Sequence, residues 1–226
     1  TGLGVTAFTG AYAIAGPLLA GAAGRRSKRG LAIALSMFTV GNLVTAGAPT
    51  IVVFLIARVI AGAAAGVYSP LSSAVAAASV SEERRGRALG LVLAGLAMGT
   101  VFGVPLGLLL GELTSWRVSI LLITIVGALA LIGIFSSRRR ELPGVDAPSL
   151  GARLRSIGSG PNLMTVTVTL FTGIASLGLY TYITSLLGDT GLASHPTAGI
   201  WAWGVGGAVG VMLIGRLVDR VGDSLR

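Results

Sequence analysis

The 226-residue sequence has no cysteine, a single histidine (His195) and a single lysine (Lys28). Without cysteine there is no disulfide framework and no thiolate nucleophile or metal ligand. One histidine cannot build an imidazole cluster, so no metal centre and no cofactor is expected. Charge is scarce as well. Asp, Glu, Lys and Arg make up 11% of the chain, about half the share of an ordinary soluble domain. So few charges cannot cover a soluble protein of this size. The shortage excludes a disordered chain and a disulfide-stapled secreted scaffold. What the chain has instead is apolar length: 53% hydrophobic residues, 35 glycines and a mean hydropathy of +0.87. That composition points to a polytopic membrane protein.

A bilayer-crossing helix needs about 20 apolar residues. Seven runs meet that length: roughly Thr1–Ala23, Leu31–Ala48, Ile51–Val80, Ala88–Gly111, Val118–Ser136, Pro161–Leu187 and Pro196–Val218. They lack the alternation of barrel strands, and helices satisfy their own backbone in lipid. The expected fold class is therefore all-α. The first run starts at Thr1 with neither charged leader nor cleavage site, so we expect a segment of a longer protein.

The basic residues sort by side. All 17 except Arg58 and Arg117 lie in alternate connections: Arg25 to Arg29, Arg84 to Arg87, Arg138 to Arg155, and the tail from Arg216. Basic residues in short loops stay cytoplasmic. The chain is thus expected to start outside, cross seven times and end in the cytoplasm. The net charge of +9 is then a topology signal, and no nucleic-acid partner is expected. The organisation read from this pattern is five spans over residues 1–136, a cytoplasmic linker over 137–160, and two further spans over 161–226. Within the linker, Leu150, Leu154 and Ile157 alternate with Arg153 and Arg155, which suits either a short helix on the inner membrane surface or a solvated connection.

Several spacings carry packing or chemistry. Gly95, Gly99, Gly103, Gly107 and Gly111 recur every four residues along one face of the fourth span, a groove that admits a neighbouring helix closely. Pro105 lies in the same span and removes a backbone donor, so a kink is expected there. Arg58 is the one charge deep in a span. A central arginine costs about 2.5–3.5 kcal/mol to insert, so it should face the interior with a partner or snorkel outwards. No span offers an embedded carboxylate. Its partner is expected from an outer-end acid, a backbone carbonyl or sequence beyond the chain. The sixth span places Thr165, Thr169, Thr172, Ser176 and Tyr180 on one face. Such hydroxyls either line a wet cavity or bond to backbone. Tyr12, Asn42 and Tyr68 are further candidates for a cavity wall.

The first and seventh spans end alike. Gly215-x-Leu217-x-Asp219-Arg220-x-Gly222 follows the seventh, and Gly24-Arg25-Arg26-Ser27-Lys28-Arg29 follows the first. Setting Arg25 against Arg220 places the copies six spans apart in the same orientation, which implies two parallel halves.

At this point the residues resemble the major facilitator superfamily, and within it the twelve-span bacterial drug/proton antiporters and arabinose-efflux-like permeases. Gly215 to Gly222 is similar to the family's cytoplasmic loop signature in its second copy. Arg58-x-x-x-Gly62 resembles the fourth-helix motif. Gly99-x-x-x-Gly103-Val104-Pro105-Leu106-Gly107 resembles the fifth-helix antiporter motif, and Glu83-Arg84-Arg85-Gly86-Arg87-Ala88 the connection between those helices. The resemblance covers nearly the whole chain. It implies that the seven spans are the second to eighth of twelve helices in two pseudo-symmetric halves. It further implies proton-coupled efflux of a small molecule, a drug or a sugar, across a bacterial cell membrane by alternating access. By the same resemblance Arg58 assists proton transfer, and Arg25, Gly215, Asp219, Arg220 and Gly222 form a cytoplasmic gate. Gly99, Gly103, Pro105 and Gly107 favour export. The chain departs from the pattern in four places: Gly24 stands where the first loop signature has its acid, Ser27 where it has glycine, Ala61 where glutamine is usual, and Val104 between the fifth-helix glycine and proline.

Two other classes compete. A seven-helix retinal pump needs a buried lysine, and Lys28 lies in a loop. A non-transporting polytopic protein, whether receptor, sensor or assembly module, is the alternative, although a receptor has no reason for the six-span repeat. No nucleophile–base pair, phosphate loop or metal cluster suggests an enzyme.

Overall fold

The computed structural model describes residues 2–137, 142–145, 150–188, 199, 202–207, 209 and 210. Helices α1 (Gly2–Gly24), α2 (Ser27–Gly47) and α3 (Ile51–Ala78) are joined by tight connections. Pro49 ends the second of them, because the residue before a proline is pushed out of the helical region. The hydroxyl of Thr50 then accepts the Val53 amide at 3.3 Å and caps α3. A 3₁₀ turn at Glu82–Arg84 leads into α4 (Arg85–Met98), a π-helical turn at Gly99–Gly103, and α5 (Val104–Leu113). The helices α6 (Trp116–Ser136), α7 (Leu150–Ile157) and α8 (Gly160–Gly188) follow.

Six of the described helical stretches are long and apolar enough to cross a membrane. The seventh expected run, Pro196–Val218, falls largely outside the described residues, although 202–207 are helical. Two helix starts differ from the hydropathy reading by three residues or more. The second helix starts at Ser27 rather than Leu31, and the fourth at Arg85 rather than Ala88. Hydropathy drops at a cluster of cations, but arginine and lysine are good helix formers, so the backbone continues through them. Within residues 137–160, expected as a linker, the described backbone includes a helix, α7.

The chain divides into two compact units, Thr1–Ala94 with Gly107–Leu154, and Gly95–Leu106 with Arg155–Arg226. In the first unit α3 packs against both α1 and α2, and α2 packs against α6. Its core is built from small residues. Ala15, Ala34, Ala57, Ala61 and Ala64 are buried with Val67, Leu31, Leu71 and Val75. The largest wholly buried side chains are Asn42, Thr45 and Ser27. Large residues such as Leu18, Ile33, Val52, Ile56 and Leu129 point outwards. Lipid solvates large apolar side chains as well as a core does, so the helices associate by close backbone approach and interhelical hydrogen bonds.

The approach is closest between α1 and α3. A Cβ at Gly62 would collide with the carbonyl of Phe8, one at Gly66 with that of Tyr12, and one at Gly16 would sit 2.9 Å from the Gly66 oxygen. Between α2 and α3, a Cβ at Gly41 would lie 3.1 Å from that of Ala61. In the second unit, a Cβ at Gly204 would lie 4.0 Å from the Cα of Val101, and one at Gly199 would collide with the Leu187 side chain.

Candidate functional site

The glycine contacts place the backbone of α1 against α3 beside Arg58, and that proximity explains how a cation is held there. Arg58 is half-buried on the second turn of α3. Its Nη1 donates to Asn42 Oδ1 at 3.3 Å, and its Nε reaches the Gly4 carbonyl oxygen at 3.5 Å. The guanidinium carbon lies 4.3 Å from the centre of the Phe8 ring, an arrangement that attracts a cation to the face of the π system. Asn42, 1% exposed, uses its amide nitrogen to hold the Phe38 carbonyl at 2.8 Å. That bond aims Oδ1 at Arg58. Among the described residues the cation's partners are thus an amide oxygen, a backbone carbonyl and an aromatic face, with no carboxylate.

This arrangement is three-helix work: Gly4 and Phe8 from α1, Asn42 from α2, Arg58 from α3. A backbone carbonyl was one of the expected partners. The amide of Asn42 was not, because the sequence reading placed Asn42 on a cavity wall. The available signal was that Asn42 is the one amide side chain within the second apolar run.

The remaining candidates lie as follows. Tyr12 is exposed on α1, its ring stacked on Phe8 with centroids 6.5 Å apart. Tyr68 is half-buried against Ala15, Ala34, Val67 and the Leu31–Leu71–Val75 cluster. On α8, Thr172 is exposed and Ser176 half-buried. Their neighbours Thr167 and Thr169 turn their hydroxyls back to the carbonyls of Leu163 and Thr165, each at 2.8 Å. The side chain of Tyr180 lies outside the described residues. So do Gly215, Asp219, Arg220 and Gly222, expected from the resemblance to form a cytoplasmic gate, while Arg25, expected with them, is exposed in the α1–α2 turn.

At Gly99, Gly103, Pro105 and Gly107 the backbone answers the proline with a π turn. Pro105 has no N–H for the carbonyl four residues back, and the Val104 amide bonds instead to the Gly99 carbonyl, five residues back. Among the described residues nothing comes within 4 Å of a Cβ built at Gly95, Gly99, Gly103 or Gly107. Pro105 is buried, and the Gly107 carbonyl accepts the Ser119 hydroxyl of α6.

One residue with a defined task escaped the sequence reading. Arg117, in the first turn of α6, donates to the Ala46 carbonyl at 2.7 Å and to that of Ala48 at 3.4 Å. It thereby satisfies carbonyls left open where α2 ends, and its guanidinium packs over Trp116, 4.9 Å from the ring centre.

Apolar membrane-length helices, packed backbone to backbone beside a half-buried arginine, define a multi-pass helical membrane protein. The chain belongs to the Major Facilitator Superfamily, whose sequence profile matches residues 1–226. Among its relatives is the inner membrane transport protein YdhP of Escherichia coli (strain K12), 28% identical over 97% of this chain and 57% of its own length. The chloramphenicol resistance protein of Streptomyces lividans is 27% identical over 95% of this chain and 56% of its own length. A probable sugar efflux transporter of Mannheimia succiniciproducens is 29% identical over 85% of this chain and 49% of its own length. The chain spans about half the length of the curated relatives it matches. Membership makes a transporter the expected class rather than an enzyme.

Proposed function

We propose that the protein carrying this chain is a proton-coupled exporter of small molecules, a drug or a sugar, working by alternating access in a bacterial inner membrane. The carrying observation is Arg58, held among the described residues by Asn42, Gly4 and Phe8 without a carboxylate. A cation kept inside a membrane bundle at such cost marks an ion or substrate path. Its uncharged partners leave it able to answer a proton or an anionic group arriving nearby. The names of relatives, one a resistance protein and one a sugar efflux transporter, support small-molecule export.

In this reading, residues 1–136 are five helices of one half, 137–160 the cytoplasmic linker and 161–226 the start of the other half. The segment begins outside and ends in the cytoplasm. Arg25, Gly215, Asp219, Arg220 and Gly222 gate the cytoplasmic side. The run Gly99, Gly103, Pro105 and Gly107 sets the direction of transport. Tyr12, Tyr68, Thr172, Ser176 and Tyr180 face the substrate, and Asn42 serves them by positioning Arg58.

Arg58→Ala in a full-length protein containing this chain tests the reading. Proton-driven export in inside-out vesicles should fall to near background while the amount of protein in the membrane is unchanged. Undiminished export per molecule would return Arg58 to a packing role. The alternative of a non-transporting membrane protein predicts no gradient-driven flux of any compound from the unmutated protein.

A further inference from the structure

The turn between α1 and α2 is covered by a distant piece of its own unit. Leu142–Val145 lies across it. The Val145 amide donates to the Gly24 carbonyl oxygen at 3.0 Å. The Ser27 hydroxyl, 1% exposed, lies 2.7 Å from the Pro143 carbonyl oxygen and 2.8 Å from that of Gly24. Beside them Lys28 Nζ donates to the Ser137 carbonyl at 3.1 Å. The side chains of Leu142 and Val145 pack on the cluster of Leu31, Leu71 and Val75, with Ile134. Four helices thus contribute to the seat: the end of α1, the start of α2, the end of α3 and the end of α6.

Two residues are fitted to the occupant. A Cβ at Gly24 would lie 2.5 Å from the Val145 carbonyl oxygen, backbone that cannot swing aside. Ser27 is among the most buried side chains of the unit, and its hydroxyl bonds across 116 positions of sequence. These are the positions where the loop has glycine in place of an acid and serine in place of glycine.

We infer that Leu142–Val145 is an internal ligand of the first unit, a strap seated in a groove formed by the α1–α2 turn and the adjoining ends of α2, α3 and α6. Its fit requires no side chain at position 24 and a hydroxyl at position 27. The strap ties the α1–α2 turn to the linker, so the two move together. An aspartate at 24 would evict it by bulk and by placing a carboxylate against the Val145 carbonyl. The inference rests on contact geometry and does not depend on transport.

Single-cysteine labelling tests it, since the chain has no cysteine of its own. Val145→Cys, Ser81→Cys as an exposed reference and Thr45→Cys as a buried one are reacted with a maleimide in detergent. Val145→Cys should react far more slowly than Ser81→Cys. Adding Ser27→Ala, which removes one buried hydrogen bond, should speed labelling at 145 about fivefold. Gly24→Asp should speed it by an order of magnitude or more. Thr45→Cys should stay slow in both backgrounds, which separates strap release from unfolding. Should Gly24→Asp also expose Thr45→Cys, the Ser27→Ala pair decides alone. Labelling at 145 as fast as at 81 would overturn the strap, as would unchanged slow labelling in the Ser27→Ala background.

Discussion

Gly62→Ala is the sharpest test of how the bundle is held. An added Cβ would stand 2.8 Å from both the carbonyl carbon and the Cα of Phe8. Carbon pairs pack at about 3.5–4.0 Å, so α1 would have to retreat by roughly 0.7–1.2 Å. The obstacle is helix backbone, and no rotamer change relieves it. Overpacking of this kind costs about 1–3 kcal/mol. The same retreat takes Gly4 out of reach of Arg58, because that contact is already 3.5 Å long; an interhelical bond in a membrane protein is worth about 0.6 kcal/mol. Alanine returns about 0.8–1.0 kcal/mol through helix propensity. The net loss is about 1–3 kcal/mol, which at about 2–4 °C per kcal/mol for a chain of this size is a drop of roughly 2–12 °C in midpoint. Thermal unfolding in detergent, followed by fluorescence, reads it directly. Gly90→Ala is the control, because nothing lies within 4 Å of its Cβ position, and it should melt at or slightly above the parent. If Gly62→Ala melted as high as Gly90→Ala, the close approach of α1 and α3 would not be what holds them.

A double-mutant cycle of Asn42→Ala and Arg58→Ala should give a coupling of about 0.5–1.5 kcal/mol in the same melting assay. The lower half of that range is expected, since 3.3 Å is longer than the usual charge-assisted bond. Additivity within about 0.3 kcal/mol would mean that the two side chains do not interact. Arg117→Ala should lower stability by about 1–2 kcal/mol through loss of charge-assisted bonds to the α2 terminus. Arg117→Lys should recover less than half, because an ammonium lacks the fork that spans Ala46 and Ala48; full recovery by lysine would refute the capping role.

The helices were legible in the sequence because a bilayer demands long apolar runs, and their ends were legible wherever turn chemistry coincided with polarity, as at Pro49-Thr50. Ends inside cation clusters were not, because Arg85 and Lys28 are both polar and helix-forming. Arg58 stood out as a lone charge, but its partners come from two other helices, and no local pattern pairs residue 58 with residues 4 and 42. Pro105 announced a disturbance. That it takes the form of a π turn depends on which donor reaches the Gly99 carbonyl, and this is fixed by geometry rather than composition. Gly24 and Ser27 were visible as departures from a motif. Their reason lies in a contact with residues 143 and 145, out of reach of any window along the chain.

The helix contacts at Gly16, Gly62 and Gly66 have an evolutionary consequence. Every single-base change that alters the meaning of a glycine codon yields a larger residue or a stop, so each of these positions can mutate in one direction only, towards collision. The outward-facing leucines, isoleucines and valines can exchange among themselves at little cost, because lipid accepts any of them. Selection on this molecule therefore acts in reverse of the pattern in a water-soluble domain. Its bulky residues are free to drift, and its smallest ones record what must be kept.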